Sequence, residues 1–221
     1  YTLFSFEAPD GPHIAELVSG GEAGFSKEPR VIRLKMKDVS GAVPYPSADG
    51  RLDWFLDTGT RHLVRLVDDV ASYDVVGEGR KLRNDSRFAP IGTNVDFVQV
   101  NADSILQPGC RADGQPCASH SLRTASIVVR TFEKGVEDET LACGTGIVAS
   151  SLATWLNAYL KFPSFSGSVP SGAPVCVNVR ARISDLSVTF TPEPGPDAAS
   201  FHAKDIWLEG PAAYIARVEV V

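Results

Sequence analysis

The residues of this chain best suited to chemistry lie between positions 133 and 146. Cys143 stands directly before Gly144, Thr145 and Gly146, and Glu133 lies ten positions earlier. The free amides and the dipole of a helix N-terminus stabilise an anion, so a cysteine at that place is expected to have a lowered pKa. Glycines there leave room for a ligand to approach the amides. We predict that Cys143 is a proton-transfer group at the floor of a pocket, with Glu133 as its proton partner; a buried, inert thiol is the alternative.

The elements that must position this thiol can be predicted from composition. Residues 126–133 are rich in β-branched and aromatic types, which favour a strand. Gly135 and the acidic residues 137–139 indicate a turn. Residues 147–160 are apolar or small on nearly every side, which is typical of a buried helix. The sequence therefore predicts that Cys143 lies at the N-terminus of a core helix.

The rest of the chain predicts mostly strands. Alternating or β-branched segments are separated by turns rich in glycine and proline, and a short helix is predicted within residues 70–88. Residues 40–51 and the insert 102–121 are predicted to be loops. Many strands around one dominant buried helix indicate an α+β fold. The predicted strands are 2–7, 12–18, 31–37, 52–56, 62–67, 95–100, 175–182, 186–191, 205–209 and 213–221.

Composition argues against two classes of partner, nucleic acids and membranes. The chain has 221 residues, of which 43% are hydrophobic and 22% charged, and its net charge is −6. This balance favours a globular protein with a substantial core and argues against a nucleic-acid partner. No apolar run approaches the roughly 20 residues that cross a bilayer, so no membrane partner is predicted.

The insert contains the most suggestive metal-binding residues of the chain. Cys110 and Cys117 flank a segment rich in glycine and proline, and His120 follows. Two cysteines and one histidine make an incomplete zinc site, and the spacing of the cysteines is unusual for zinc. We predict a surface loop, no metal site and no disulfide scaffold.

Four segments together resemble one enzyme family. Residues 133–146 closely resemble the second catalytic motif of the diaminopimelate epimerases, and the motif is highly specific. Residues 57–64 resemble the family's histidine strand, 92–98 its substrate-asparagine segment, and 206–212 its last hairpin. The resemblance spans nearly the whole chain. It implies a curved mixed β-sheet wrapped around a central buried helix in each of two halves, with one full half here and part of the other.

The resemblance also implies an activity. Members interconvert L,L- and meso-diaminopimelate in the cytoplasm, in the biosynthesis of lysine and of peptidoglycan precursors. They are isomerases that act without pyridoxal phosphate or any other cofactor. Two bases on opposite faces of the α-carbon exchange the proton. Amides at a helix N-terminus, here those of Gly144 and Thr145, bind the substrate carboxylate and stabilise the developing charge.

Individual site residues follow from the same resemblance. Cys143 matches one of the two bases, Glu133 its proton partner, and His62 the histidine that partners the other cysteine. Asn94 matches an asparagine that holds the distal end of the substrate. Three positions depart from the family pattern. Lys134 stands where arginine is common, Thr60 where asparagine is common and Arg61 where proline is common. We expect Lys134 and Arg61 together to bind the distal carboxylate; the alternative is that Arg61 points to solvent and Lys134 acts alone.

By resemblance, the first catalytic-cysteine motif would precede the segment that starts at Tyr1. The only methionine is Met36, and residues 1–6 read as a strand already under way, so we expect a fragment or a processed piece that is inactive alone. The expected division is residues 1–56 as strands completing a truncated N-terminal half, 57–208 as the C-terminal half with its helix at about 144–160, and 209–221 as a closing strand. Expected partners are the missing N-terminal half, a small-molecule substrate and a second copy in a homodimer.

Two alternatives stay open. The chain could be another racemase or isomerase of the same fold, such as a proline-type racemase or an isomerase of the phenazine-biosynthesis kind. Isomerases of the latter kind need not use a cysteine pair, so Cys143 beside its glycines argues against them. The second alternative is a non-catalytic, degenerate domain that keeps the fold.

Overall fold

A computed structural model describes residues 2–9, 11–19, 30–101, 107–108, 123–162, 166 and 172–213. These residues contain two α-helices, α1 (Val75–Arg83) and α2 (Gly144–Lys161), and a 3₁₀ turn at Ser86–Phe88. The strands are β1 (Thr2–Ala8), β2 (Gly11–Ser19), β3 (Arg30–Lys35), β4 (Val39–Ser40), β5 (Val43–Pro46), β6 (Leu52–Asp57), β7 (Arg61–Leu66), β8 (Asn94–Val100), β9 (Gln107–Pro108), β10 (Arg123–Glu133), β11 (Asp138–Thr140), β12 (Val175–Arg180), β13 (Asp185–Glu193) and β14 (His202–Ala212).

The described strands form one mixed sheet. Its order is β1-β2-β3-β14-β13-β12-β10-β8-β7-β6-β5, and the short strands β4, β9 and β11 pair at its sides. The pairs β7–β8 and β10–β12 are parallel, and the other pairs are antiparallel. Parallel neighbours need a crossover connection, and here α1 lies in the first crossover and α2 in the second. This connectivity places both helices against the centre of the sheet.

Helix α2 is the centre of the larger core, as its all-round apolar character predicts. It packs against strands β6, β7, β8, β10, β12, β13 and β14, so the sheet wraps around it. Its side chains from Ile147 to Leu156 are buried. Burial of this many apolar side chains at about 25 cal/mol per Å² is the main stabilising contribution. The predicted α+β fold, a mixed sheet around a buried helix, is confirmed.

Side chains along β7, β8 and β10 alternate between two hydrophobic cores, one on each face of the sheet. Val64, Val98 and Val129 face α2, whereas Leu63, Phe97, Phe132 and their neighbours pack with α1 on the other face. Side chains alternate between the faces with a period of two, so the even-numbered positions of β7 and β8 belong with α2. The same rule places the polar residues His62, Asp96 and Thr131 on the α2 face, at the end of the sheet near the helix N-terminus.

Some predicted elements differ from the structure. The helix predicted within residues 70–88 is confined to α1, which begins after Asp74 caps the amide of Gly77. The predicted loop 40–51 contains β5, which includes Pro44 and Pro46. Among the described strands β5 lies at a sheet edge, where a proline removes no hydrogen bond from a ladder.

The predicted last strand and the predicted insert lie largely outside the described residues. β14 pairs with β13 and β3, and residues 214–221 lie outside the described residues. Cys110, Cys117 and His120 also lie outside them. The division at residues 56 and 208 stays a prediction. In the described part of the chain, no helix combines the length and apolar character needed to cross a bilayer. No group of three or more potential metal ligands occurs among these residues.

Candidate active site

A buried histidine–carboxylate pair lies at the centre of the candidate site. His62 Nδ1 lies 2.7 Å from Asp96 Oδ2, and both side chains are 0% exposed. A carboxylate only accepts hydrogen bonds, so the Nδ1–H of His62 is the donor. The second oxygen of Asp96 accepts from the Thr131 hydroxyl at 2.6 Å. Burying a carboxylate is costly unless it is paired and hydrogen-bonded, and these two contacts meet that requirement.

Strand register brings this pair together. His62 on β7 is opposite Asn94 on β8, and Asp96 on β8 is opposite Thr131 on β10. All four lie on the face toward α2, because residues two apart share a face of a sheet. A slip of one residue would move them to the other face, so the pair depends on the correct register of three strands.

The other ring nitrogen of His62 faces two hydroxyl groups. Nε2 lies 2.9 Å from Thr60 Oγ1 and 3.0 Å from Thr145 Oγ1, and these two oxygens are 3.0 Å apart. Thr60 belongs to the turn between β6 and β7, and Thr145 to the first turn of α2. Both line a cleft, whereas His62 does not. In the described part of the chain, His62 is therefore connected to the cleft only through its contacts with the Thr60 and Thr145 hydroxyl groups.

The first turn of α2 lies directly on the buried pair, and Gly146 makes this possible. A Cβ atom at Gly146 would be 2.4 Å from Asp96 Oδ1 and 3.1 Å from His62 Cε1. The Thr58 hydroxyl donates to the Thr145 carbonyl at 3.0 Å and so joins the β6–β7 turn to the helix. Gly146 had been expected to leave room for a ligand; the structure corrects this, because the space belongs to the His62–Asp96 pair.

The cleft has a volume of about 590 Å³ and lies over the N-terminus of α2. Its lining includes the predicted proton-transfer groups Cys143 and Glu133. It also includes Gly144, whose amide is free of any helical partner because it belongs to the first turn. Other lining residues come from β2 and β3 and from the positions after β3. They include His13, Ile14, Leu34, Lys35, Met36 and Lys37.

Cys143 precedes the first residue of α2 and is half-buried. Its backbone is extended, with φ −123° and ψ 111°, and its carbonyl accepts the first helical hydrogen bond from Ile147 at 2.8 Å. Burial raises the pKa of the Cys143 thiol, and the charge of Asp96 raises it further. The Thr145 hydroxyl and the Gly146 amide lower this pKa, while the charge of Glu133 raises it.

The expectation of a lowered pKa for Cys143 is therefore wrong. Desolvation disfavours the thiolate, and the two carboxylates repel it. The amides of the helix N-terminus act in the expected direction, but they do not outweigh burial. A position at a helix N-terminus alone therefore does not determine whether Cys143 is protonated.

The residues assigned to the distal end of a substrate lie beside the cleft and not on its walls. The Asn94 amide nitrogen donates to the Arg61 carbonyl at 2.9 Å, and its oxygen accepts from the Lys134 backbone N–H at 2.8 Å. Asn94 thus joins the start of β7 to the turn after β10. Neither Asn94, Arg61 nor Lys134 is among the residues that line the cleft. Their role toward a ligand stays a prediction.

Sequence reasoning missed three residues of the site. Asp96, Thr131 and Thr58 are buried polar side chains that hold His62 and the helix in place. For Asp96 the sequence carries a signal, since a carboxylate stands alone within the apolar strand Asn94–Val100 and lies two residues after Asn94. Thr131 and Thr58 give no comparable signal, because threonine is common in strands and turns.

Known proteins resemble this chain in sequence. The chain is 30% identical over 214 residues to the diaminopimelate epimerase of Chlorobaculum tepidum and 28% identical over 216 residues to that of Flavobacterium psychrophilum. The alignments cover 97% and 98% of the chain but 64% of each relative, so the chain spans less than two thirds of their length. It is 39% identical over 99 residues to that of Chlamydia trachomatis, covering 45% of the chain and 28% of the relative. No family model matches the chain.

Solved structures resemble it in fold. A probable proline racemase from Agrobacterium radiobacter K84 aligns with a TM-score of 0.57 and 17% identity, covering all of this chain and 61% of that one. A hydroxyproline epimerase from Agrobacterium vitis aligns with a TM-score of 0.52 and 15% identity, covering 96% and 57%. At these identities the similarity shows a shared fold.

The raised pKa of Cys143 leads to a prediction about its reactivity. Alkylation of Cys143 by iodoacetamide should reach half its maximal rate above the ordinary thiol pKa of about 8.5, because burial and the Asp96 charge favour the protonated form. Peptide mass spectrometry over a pH series measures this site apart from the buried Cys176. The urea-unfolded chain is the control, with an ordinary thiol. A half-maximal rate below that of the unfolded chain would contradict the prediction.

Substitutions of two glycines in the first turn of α2 test how closely the helix packs on His62 and Asp96. Gly146→Ala should lower the free energy of unfolding by roughly 1–3 kcal/mol, because a new methyl group collides with Asp96. Gly144→Ala is the matched control, since its Cβ would meet one Leu208 methyl group at 3.2 Å, which can move. Urea unfolding followed by tryptophan fluorescence measures both. Equal losses in the two variants would contradict the proposed contact.

Proposed function

Because the chain belongs to the diaminopimelate epimerase family, we propose that it forms one side of the active site of a cofactor-independent epimerase that interconverts L,L- and meso-diaminopimelate. The observation that carries this proposal is the position of Cys143, which lines a cleft at the N-terminus of α2 together with Glu133. The names of the curated relatives support the substrate. The racemase fold of the structural neighbours supports the class of reaction.

The proposed reaction begins with removal of the proton on the α-carbon of the substrate. The C–H bond breaks, the proton forms an S–H bond with a thiolate, and the electron pair moves toward the substrate carboxylate. The amides of Gly144 and Thr145 stabilise that charge where it develops. A second acid on the opposite face returns a proton to carbon and inverts the centre. Cys143 performs the removal in one direction and the return in the other.

The raised pKa of Cys143 fits both roles. A thiol that holds its proton at neutral pH is a suitable acid for a carbanion, and its conjugate thiolate is a strong base once formed. Among the described residues that line the cleft, Cys143 is the one cysteine. As the family resemblance implies, we propose that the second base comes from a segment outside these 221 residues.

Selectivity for the distal end of the substrate is assigned to Arg61, Asn94 and Lys134. The Asn94 amide binds the backbones of the other two residues, so two cationic residues start from the same edge of the site. Together they would replace one arginine that grips a carboxylate in two places. A substrate without a distal carboxylate should then be rejected.

The family also suggests a setting for the reaction. We place this epimerase in the cytoplasm, in the formation of lysine and peptidoglycan precursors, and we propose that it acts as a homodimer. Size-exclusion chromatography with light scattering tests the assembly, and a monomeric mass would reject it.

The second candidate is a racemase of the proline type. The observation in its favour is the fold shared with a proline racemase and a hydroxyproline epimerase. At 17% and 15% identity that similarity does not indicate which substrate is used. The relatives at 28–39% identity are diaminopimelate epimerases. The third reading, a non-catalytic domain, predicts no turnover of any of these amino acids.

The decisive experiment is conversion of L,L- to meso-diaminopimelate, followed by chiral chromatography. The 221-residue chain alone should show no conversion, because one base is missing. A protein that adds the segment with the second base should show turnover, and Cys143→Ala in it should abolish turnover. Lysine, which lacks the distal carboxylate, L-proline and trans-4-hydroxy-L-proline serve as control substrates and should not react.

Three outcomes would contradict the proposal. Robust conversion by the 221-residue chain alone would reject the two-base account. Turnover of proline or hydroxyproline without turnover of diaminopimelate would favour the racemase. Absence of turnover in the extended protein with every substrate would favour a non-catalytic domain.

A further inference from the structure

The turn between β10 and β11 carries Lys134, and three hydrogen bonds fix its backbone. The Lys134 amide donates to Asn94 Oδ1 at 2.8 Å. The Gly135 amide donates to Glu137 Oε1 at 3.1 Å, and the Glu137 amide donates to the Glu133 carbonyl at 2.8 Å. None of these three contacts uses the side chain of Lys134. The ammonium group is therefore carried by a turn whose own backbone is held in one conformation.

Glu137 holds this turn together from an unfavourable backbone conformation. Its φ is +60°, a region that residues other than glycine rarely occupy. The same Oε1 that accepts from Gly135 also accepts from Arg83 Nε at 3.0 Å. The Gly135 amide lowers the pKa of Glu137 and Arg83 lowers it further, while desolvation acts in the opposite direction. The carboxylate is thus ionised at neutral pH and receives two donors, one from the turn and one from α1.

Arg83 is the last residue of α1, and it contacts both segments that carry the residues assigned to the distal end of the substrate. Its side chain is 19% exposed. Besides Glu137, it lies against Gly92, where a Cβ atom would collide with Nη1 of the guanidinium. Gly92 stands two residues before Asn94, which accepts from the Lys134 amide. One guanidinium group therefore joins the asparagine segment to the lysine turn.

The start of the lysine turn is held separately from its end. Gly79 of α1 packs so closely on Phe132 that a Cβ atom at Gly79 would collide with the Phe132 side chain. Phe132 is fully buried, and both Phe132 and Glu133 pair with β11. Loss of the Arg83 contact should therefore free the end of the turn without displacing Glu133.

We propose that Arg83 is a positioning residue for Lys134. By contacting Glu137 on one side and Gly92 on the other, it sets where the turn presents the Lys134 ammonium group to the distal carboxylate of the substrate. This inference rests on the proposed epimerase function and deepens it. Arg83 lies outside the cleft lining and outside the four segments that resemble the family's motifs.

A simpler account gives Arg83 a role in stability alone. A cation in the last turn of a helix interacts favourably with the helix dipole, and an exposed ion pair adds little more. In that account, replacing Arg83 lowers the free energy of unfolding and leaves substrate binding unchanged. In the positioning account, the Michaelis constant rises while the turnover number, which depends on Cys143 and Glu133, changes little.

Arg83→Gln and Arg80→Gln form a matched pair, because each removes one positive charge from α1. Arg80 is exposed, whereas Arg83 donates to Glu137. The first measurement is the exchange rate of the Gly135 amide with water, followed by NMR on the 221-residue chain. Arg83→Gln should accelerate this exchange about fivefold, which corresponds to the upper range for a surface ion pair, and Arg80→Gln should not. Equal rates in the two variants would overturn the proposal.

The second measurement uses the extended protein that supplies the second base. Arg83→Gln should raise the Michaelis constant for L,L-diaminopimelate about fivefold and change the turnover number less than about twofold. Arg83→Lys keeps the charge and should restore part of the binding. An unchanged Michaelis constant in Arg83→Gln would overturn the proposal. Absence of turnover in the extended wild-type protein would reject the proposed function instead, and the exchange rates would still decide whether Arg83 holds the turn.

Glu137→Gly supplies the background that isolates the contact. Glycine adopts a φ of +60° readily, so this change removes the carboxylate without straining the turn. If Arg83 acts through Glu137, Arg83→Gln should not raise the Michaelis constant further in this background, because effects of coupled residues are not additive. An increase of the same size as in the protein that retains Glu137 would show that Arg83 acts through another contact and would overturn the proposal.

Discussion

The packing of a helix N-terminus on a buried histidine–carboxylate pair is the contact on which the rest of this site depends. Asp96 can be buried because His62 and Thr131 satisfy its oxygens from the strands on either side. Removing one partner of such a pair typically costs 3–5 kcal/mol. Helix α2 closes the pair from above, and it fits because Gly146 has no side chain. Three strands and one helix must therefore be in place together before the cleft exists.

The same burial sets the chemistry of the thiol. A helix N-terminus favours an anion, but its contribution is typically 0.3–1 kcal/mol at exposed positions. Desolvation and nearby carboxylates act in the other direction, and here they dominate, so the pKa of Cys143 is raised. A thiol in this state needs a proton acceptor before it can act as a base. Glu133 lines the same cleft and is the group that we propose for this role.

The sequence predicted the elements that composition alone defines. The apolar residues of α2 could not form a surface helix, and the even-numbered positions of β7 and β8 could be assigned to one face once the strands were known. The predictions that failed depended on contacts between residues that are distant in the sequence. Gly146 must lack a side chain because Asp96, fifty positions earlier, occupies the space beside it. The pKa of Cys143 depends on burial and on the charge of Asp96. Asn94 binds two backbone groups and does not line the cleft. The prolines of β5 are compatible with a strand only because of their place at the sheet edge.

The tautomer of His62 tests the central claim most directly. The chain has four histidines, so the ring nitrogens of a ¹⁵N-histidine-labelled sample can be assigned by comparison with a His62→Gln variant. If the Asp96 carboxylate orients the imidazole toward Thr145, neutral His62 carries its proton on Nδ1 and leaves Nε2 free to accept. The account predicts a protonated Nδ1 and an unprotonated Nε2 in the folded chain, and loss of that preference on unfolding. A proton on Nε2 with a bare Nδ1 would contradict it, because His62 could then donate nothing to the Asp96 carboxylate.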